Sequence, residues 1–238
     1  MTQITHLDMD HAQRRTAVAI VGAHGKIGQL LAAELARRGT LVLGVHRGLE
    51  QVSDVEATGA VSVLHDLEKG TAEQLAESLR VAADGDVDAI VFTAGAGPGS
   101  GAARKMTVDL GGSRQSIDAA RWAGIRRFVQ VSFIGAHQDA EPSGEESWDA
   151  YRAAKRDADA ILRDSDLEWT IVCPGHLTDE PASGTVTLGE GLDGGDVSRG
   201  NVALVIAAVL DAPGTVGRTI DVLDGVDPVA KALAAVSG

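Results

Sequence analysis

The chain has 238 residues, 44% hydrophobic and 23% charged, with only 3% aromatic, enough for one large domain with a mostly aliphatic core. A net charge of −13, from 34 acidic against 21 basic residues, repels phosphate backbones and anionic lipid and so excludes nucleic-acid and membrane-surface roles. With Cys173 as the single cysteine there is no intramolecular disulfide, and no apolar run reaches the roughly 18 residues of a membrane span.

Residues 1–15 are polar, without periodicity or a signal-peptide stretch, and read as a flexible tail on a cytoplasmic protein. A single domain is expected over 16–238. It opens with a buried strand from Thr16 to Val21, then a helix carrying Ile27, Leu30, Leu31 and Leu35 that Gly39 stops. Leu41–Val45 and Val61–Leu64 read as strands, with a short helix, Leu49–Ala57, between them. Thr71 and Gln74 form a capping box for a helix ending near Ala83. Ala89–Thr93 is a strand, followed by the glycine-rich loop Gly95–Gly101 and a long helix over Ala103–Ala123. Arg127–Ser132 is a strand, Asp149–Arg163 a helix and Trp169–Val172 a strand again.

This alternation predicts an α/β fold with a parallel, doubly wound sheet, because parallel strands need crossover helices. The segment 174–238 is expected to be a small substrate-covering annex. It contains one short strand at Thr185–Leu188, a helix at Asn201–Leu210, a strand at Thr219–Leu223, and a last helix with Asp227 as N-cap and Pro228 at its first position.

Between the first strand and the first helix lies Gly22-Ala23-His24-Gly25-Lys26-Ile27-Gly28. In a strand–turn–helix unit this spacing serves a dinucleotide: one glycine for the turn, one for backbone approach to the pyrophosphate, one for helix–strand packing. The helix N-terminus then offers N–H groups and a positive dipole end to the phosphates. The second strand ends in Val45-His46-Arg47, where an NAD site would place an acid. Arg47 is therefore read as a 2′-phosphate ligand, with His24 or Lys26 helping, which makes NADPH the expected cofactor and NAD the alternative; an ordinary surface arginine is the other reading. Asp66 could accept from the adenine amino group or simply cap its loop. Thr93, Ala94 and Gly95 would let the nicotinamide ribose approach the backbone, or form only a tight turn.

Tyr151 is the only tyrosine, and Lys155 follows it by one helical turn, on the same face. A phenol is a poor acid–base catalyst near neutrality, and an adjacent ammonium stabilises its phenolate. His137 and His176 fall in loops near this position, and Glu141, Glu145 and Glu146 form an acidic run read as a solvated loop or part of a lid. The histidine spacing predicts no metal site.

Together these motifs resemble the short-chain dehydrogenase/reductase superfamily, and within it the small atypical NAD(P)H-binding members related to extended epimerases and NmrA-like proteins. The resemblance rests on Gly22–Gly28, Asp66-Leu67, Thr93–Gly97, Arg127–Ser132, Tyr151–Lys155, Pro174-Gly175 and Val197–Ala203. It implies a seven-stranded Rossmann sheet, with Leu67 and Pro174 joining the cofactor contacts, and hydride transfer at the nicotinamide. Tyr151 would be the proton donor, Ser132 the substrate-orienting hydroxyl, and Lys155 would hold the ribose and lower the tyrosine pKa. The chain departs from the pattern at Asp109, where an active-site Asn is common, and at Cys173, where Arg is common. The function so implied is NADPH-dependent reduction of a small-molecule carbonyl by a monomer or homodimer. A non-catalytic redox sensor and an NAD(P)-dependent epimerase are the alternatives.

Overall fold

In the computed structural model, residues 16–97, 99–138 and 141–238 are described; the expected tail, 1–15, lies outside the described residues. The first apolar run forms β1 (Ala17–Val21), buried along its whole length. Helix α1 (Lys26–Arg37), β2 (Leu41–His46), α2 (Val52–Ala57), β3 (Val61–Leu64), α3 (Ala72–Ala83) and β4 (Ala89–Phe92) follow. Next comes one continuous helical stretch made of α4 (Gly101–Arg104), a π-wound segment over Lys105–Gly111, and α5 (Gly112–Ala123). The chain goes on through β5 (Arg127–Val131), α6 (Glu146–Arg163), β6 (Glu168–Pro174), β7 (His176–Thr178), β8 (Thr185–Gly189) and β9 (Asp196–Ser198). It closes with α7 (Arg199–Leu210), β10 (Arg218–Asp224), β11 (Asp227–Pro228) and α8 (Val229–Val236).

Seven strands run parallel in the order β3-β2-β1-β4-β5-β6-β10, the Rossmann arrangement. Beyond β10 the sheet continues with β8 and β11, each antiparallel to its neighbour, so the sheet has two more strands than the seven expected. Strand order reverses between β1 and β4, and the crevice at their carboxyl ends is where open α/β sheets take ligands. Alternation along β1 divides the core. Val18 and Ile20 face the layer that includes α1 and α7, while Ala19 and Val21 face α3, α5 and α6. Helix α7 is apolar nearly all round because it is wedged between the sheet, α1 and α8.

Four expectations are corrected. Helix α6 begins at Glu146, so Glu145 and Glu146 belong to its N-terminus, where the helix dipole favours acids, and not to a loop. The long helix after β4 is not regular but π-wound over Lys105–Gly111. The 174–195 segment holds a second strand, β7, paired in parallel with β9. Asp227 and Pro228 form the edge strand β11, and Pro228 itself caps α8. The capping box is as expected: the Thr71 N–H donates to Gln74 Oε1 at 2.9 Å and the Gln74 N–H to Thr71 Oγ1 at 3.3 Å. Replacing Thr71 by Ala leaves a terminal N–H of α3 without its partner and should cost about 1 kcal/mol, read as a lower urea midpoint at unchanged slope.

Candidate active site

The turn after β1 is fixed by contacts that leave no room for side chains. Gly22 sits at φ +91°, where a Cβ would lie 2.6 Å from the N and Cα of Ala94. Both Gly22 and Ala23 donate their N–H to the Val45 carbonyl, at 3.1 and 3.0 Å. A Cβ on Gly28 would come within 2.5 Å of the Gly22 carbonyl oxygen, so α1 packs directly on the turn. Gly25 differs: a Cβ there meets only Gly22 O, at 3.2 Å, and would project into the cleft that Gly25 lines. No side chain caps α1 at Gly25, so its N-terminal N–H groups are left for a ligand. Ile27 packs half-buried against the core beneath.

That cleft, of about 260 Å³, runs from Gly22, Thr93, Ala94 and Gly95 to Arg47, Asp66 and Leu67. Arg47 follows β2 with its backbone N–H on Gln51 Oε1 at 3.2 Å. Asp66 accepts from Lys69 and from the Glu68 N–H, each at 3.0 Å, and these bonds hold its carboxyl below the usual range. His24 lines the cleft with Nε2 3.0 Å from Asp54. Lys26 does not line it: its ammonium pairs with Asp179 at 2.5 Å, and Asp179 also accepts from Arg199 at 2.7 Å. The sequence reading missed Arg104, which enters from α4 and pairs with Glu68 at 2.7 Å, and also His65, held 3.0 Å from Gln115 Oε1. Arg104 and Glu68 are 36 residues apart, so only the fold brings them together.

Thr93 is committed to the frame, its hydroxyl donating to Val21 O at 3.1 Å and Gly22 O at 3.3 Å. Behind Gly95, Asp109 accepts from the Ala96 N–H at 3.0 Å and stands 3.8 Å from the Lys155 ammonium. Lys155 donates to Val131 O at 2.9 Å, and both charged groups are buried. One turn earlier on α6, the Tyr151 ring is stacked on Phe133 at 5.3 Å and on Trp148 at 5.4 Å, with the Lys105 ammonium 5.3 Å from its centroid. Burial, then the negative charges of Asp109 and Asp159, push the Tyr151 phenol well above its ordinary pKa. The expected lowering by Lys155 is thus not the dominant effect, because that ammonium is aimed at Val131 O and Asp109.

Ser132 is likewise corrected. Its hydroxyl donates to Asp159 Oδ2 at 2.6 Å in the core, while Gln130 Nε2 donates to Asp159 Oδ1 at 2.6 Å and Ser113 Oγ to Gln130 Oε1 at 2.6 Å. Gln130 and Ser132 are two apart at the end of a strand and share a face. The face they share is the one covered by α6. Burial raises the Asp159 carboxyl and the Cys173 thiol. Pro174 ends β6, accepting from the Ile134 N–H at 3.0 Å, outside the cleft lining. His137 is exposed and His176 is exposed and paired with Asp196 at 3.0 Å.

A family model described as NAD(P)H-binding matches residues 22–213, starting at the first glycine of the turn. The chain belongs to that NAD(P)H-binding family. It is 40% identical over 217 residues to the "Uncharacterized sugar epimerase YhfK" of Bacillus subtilis, across 91% of this chain and 98% of the relative. A solved structure from Bacillus halodurans, named "Putative NAD-dependent epimerase/dehydratase", is 34% identical with a TM-score of 0.82, covering 92% of this chain and 99% of its own. The oxidoreductase ylbE of Lactococcus lactis is 27% identical with a TM-score of 0.80, over 92% and 96%. The site fits such a cofactor by its own geometry. It has an uncapped helix N-terminus, a glycine whose missing side chain opens the cleft, and cations at the cleft's far end. No helix among the described residues is long and apolar enough to cross a membrane.

With a single tyrosine in the chain, tyrosinate absorbance reports Tyr151 alone. The unfolded chain loses this proton near about pH 10, whereas the folded protein keeps it. Stability should therefore fall as pH rises above that value. The native protein should show no tyrosinate at about pH 10.5, and half-ionisation there would contradict the burial of the phenol.

Proposed function

We propose that the protein is an NADPH-dependent reductase of small-molecule carbonyl compounds, with Tyr151 as the proton donor. The reading is carried by one juxtaposition: Tyr151 and Lys155 share a face of α6 beside Gly95 and Ala96, through the Lys155–Asp109 pair. A bound nicotinamide would supply the hydride. Tyr151 would hold its proton against the substrate oxygen and release it as negative charge develops there; its raised pKa keeps it protonated but makes it a weaker acid than an ordinary phenol. An ammonium has three donors; in Lys155 one goes to Val131 O, and Asp109 at 3.8 Å is an ion pair without a hydrogen bond, which leaves donors for a ribose hydroxyl. Phe133 and Trp148 would exclude water from the phenol.

The preference for NADPH is supported by Arg47 at the end of β2 and by Arg104 across the same cleft. An epimerase, which returns the hydride to its own substrate, is the second reading, favoured by the names of two relatives. The two differ in net chemistry, since only a reductase consumes NADPH.

Following NADPH oxidation with a panel of aldehydes, ketones and quinones tests the reading. Turnover should be found, and Tyr151→Phe should lower kcat by about 10²–10⁴-fold. Tight NADPH binding with no oxidation by any compound would overturn the reductase. Arg47→Ala should weaken NADPH binding by roughly 10–100-fold, the worth of a hydrogen bond to a charged group, and leave NADH binding unchanged. Equal losses for both cofactors would remove the 2′-phosphate role.

A further inference from the structure

Lys105 is a buried charge that the scheme above does not use. It opens the π-wound segment and is 8% exposed. Its ammonium donates to Gly97 O at 2.8 Å and lies over the Tyr151 ring. Among the described residues no carboxylate pairs with it, whereas Lys155 in the same site has Asp109 at 3.8 Å. Burying an ammonium costs several kcal/mol unless it is compensated. One carbonyl and a ring face offset this only in part. The ring it covers belongs to a wall of three stacked aromatics, Phe133, Trp148 and Tyr151. The site therefore joins a cluster of apolar rings, the Tyr151 phenol and a cation that has no carboxylate partner among the described residues.

We propose that Lys105 recognises a carboxylate of the substrate, carried a few bonds from the reacting carbonyl, so that the protein acts on oxo acids with a planar apolar body. The inference rests on the reductase reading for the reaction but not for the binding of the anion. An anion seated there supplies a counter-charge to the ammonium over the Tyr151 ring. A neutral aldehyde or ketone of the same shape would leave the ammonium uncompensated. Specificity then comes from charge, while the aromatic wall supplies apolar contact to either.

Benzoate and benzamide, matched in shape and different in charge, are the probes, titrated by calorimetry into protein saturated with NADP⁺. Wild-type protein should bind benzoate at least about tenfold more tightly, the return of one charge-assisted hydrogen bond. Lys105→Met should abolish the difference, and Lys105→Arg should keep it. Lys231→Met, which removes an exposed lysine paired with Asp227 on the sheet edge, should keep it too. Equal binding of the two probes to wild-type protein, binding of neither, or a preference that survives in Lys105→Met overturns the inference. So does a loss of NADP⁺ affinity in Lys105→Met as large as the loss for benzoate, which would assign the lysine to the cofactor. Charge discrimination in a protein that oxidises NADPH with no carbonyl compound would leave this inference standing and sink the reductase reading alone.

Discussion

Backbone meets backbone where β1, β4 and α1 converge, at a distance that admits no methyl group. Gly22 lies against Ala94 and Gly28 against the Gly22 carbonyl, so strand, turn and helix form one rigid corner. Thr93 ties the corner down by donating its N–H and its hydroxyl to Val21 O. Because α1 cannot stand off, its N-terminal N–H groups open into the crevice at the point where strand order reverses. Everything at the site is placed relative to that corner. Gly95 and Ala96 continue from it to Asp109, Asp109 faces Lys155, and Lys155 fixes the azimuth of α6 and hence of Tyr151.

Charge is handled differently at the two ends of the cleft. Overall the chain carries −13, yet Arg47 and Arg104 are set among His24, His46 and His65 along the far wall. Asp66 and Glu68 line the same wall, Glu68 pairing with Arg104, so the recess gathers both signs of charge within an acidic surface. The ion pairs around it, such as Lys69 with Asp66, are partly solvated and contribute little to stability. At the tyrosine end the charges are buried, so position matters more than number. Lys155 is matched by Asp109, and Asp159 takes its hydrogen bonds from Gln130 and Ser132, while Lys105 has no carboxylate opposite among the described residues. Fixed charges of this kind pre-organise a site, since none needs to reorient when a substrate arrives.

Features set by neighbours in the chain were legible in the sequence. The glycine spacing, the Thr71–Gln74 box and the alternation of apolar runs with amphipathic helices all reflect interactions within a few residues. The Tyr151–Lys155 spacing belongs with them, since four residues on a helix is one turn. What escaped were directions and partners decided through space. Whether Ser132 faces a substrate or the core depends on Asp159, 27 residues later. A signal did exist: Gln130 and Ser132 are two polar residues on one face of an otherwise apolar run, which requires a buried polar partner. Asp159, one turn beyond Lys155, was the residue to supply it. Arg104 gave no such signal, because a basic residue opening a helix is ordinary until Glu68 is placed beside it. The three-residue strands β7 and β9 are too short for any periodicity to mark them.

The π-wound segment shows how a local irregularity can set the chemistry of a site. A regular helix advances about 100° per residue, so losing one residue between Asp109 and α5 would rotate the whole upstream turn by that angle. Helix α5 is held by its own core residues, Ile117, Ala119 and Ala120, and could not rotate to follow. Lys105 would then leave the Tyr151 ring and Gly97, and Asp109 would leave Ala96 and Lys155. The wide turn reconciles two demands that an ordinary helix cannot meet together: a core face fixed by α5, and a polar face directed at α6. Such segments are rare within helices and concentrate at functional sites. Here the reason is geometric, since the same seven residues carry both the carboxylate that faces Lys155 and the cation that lies over the Tyr151 ring.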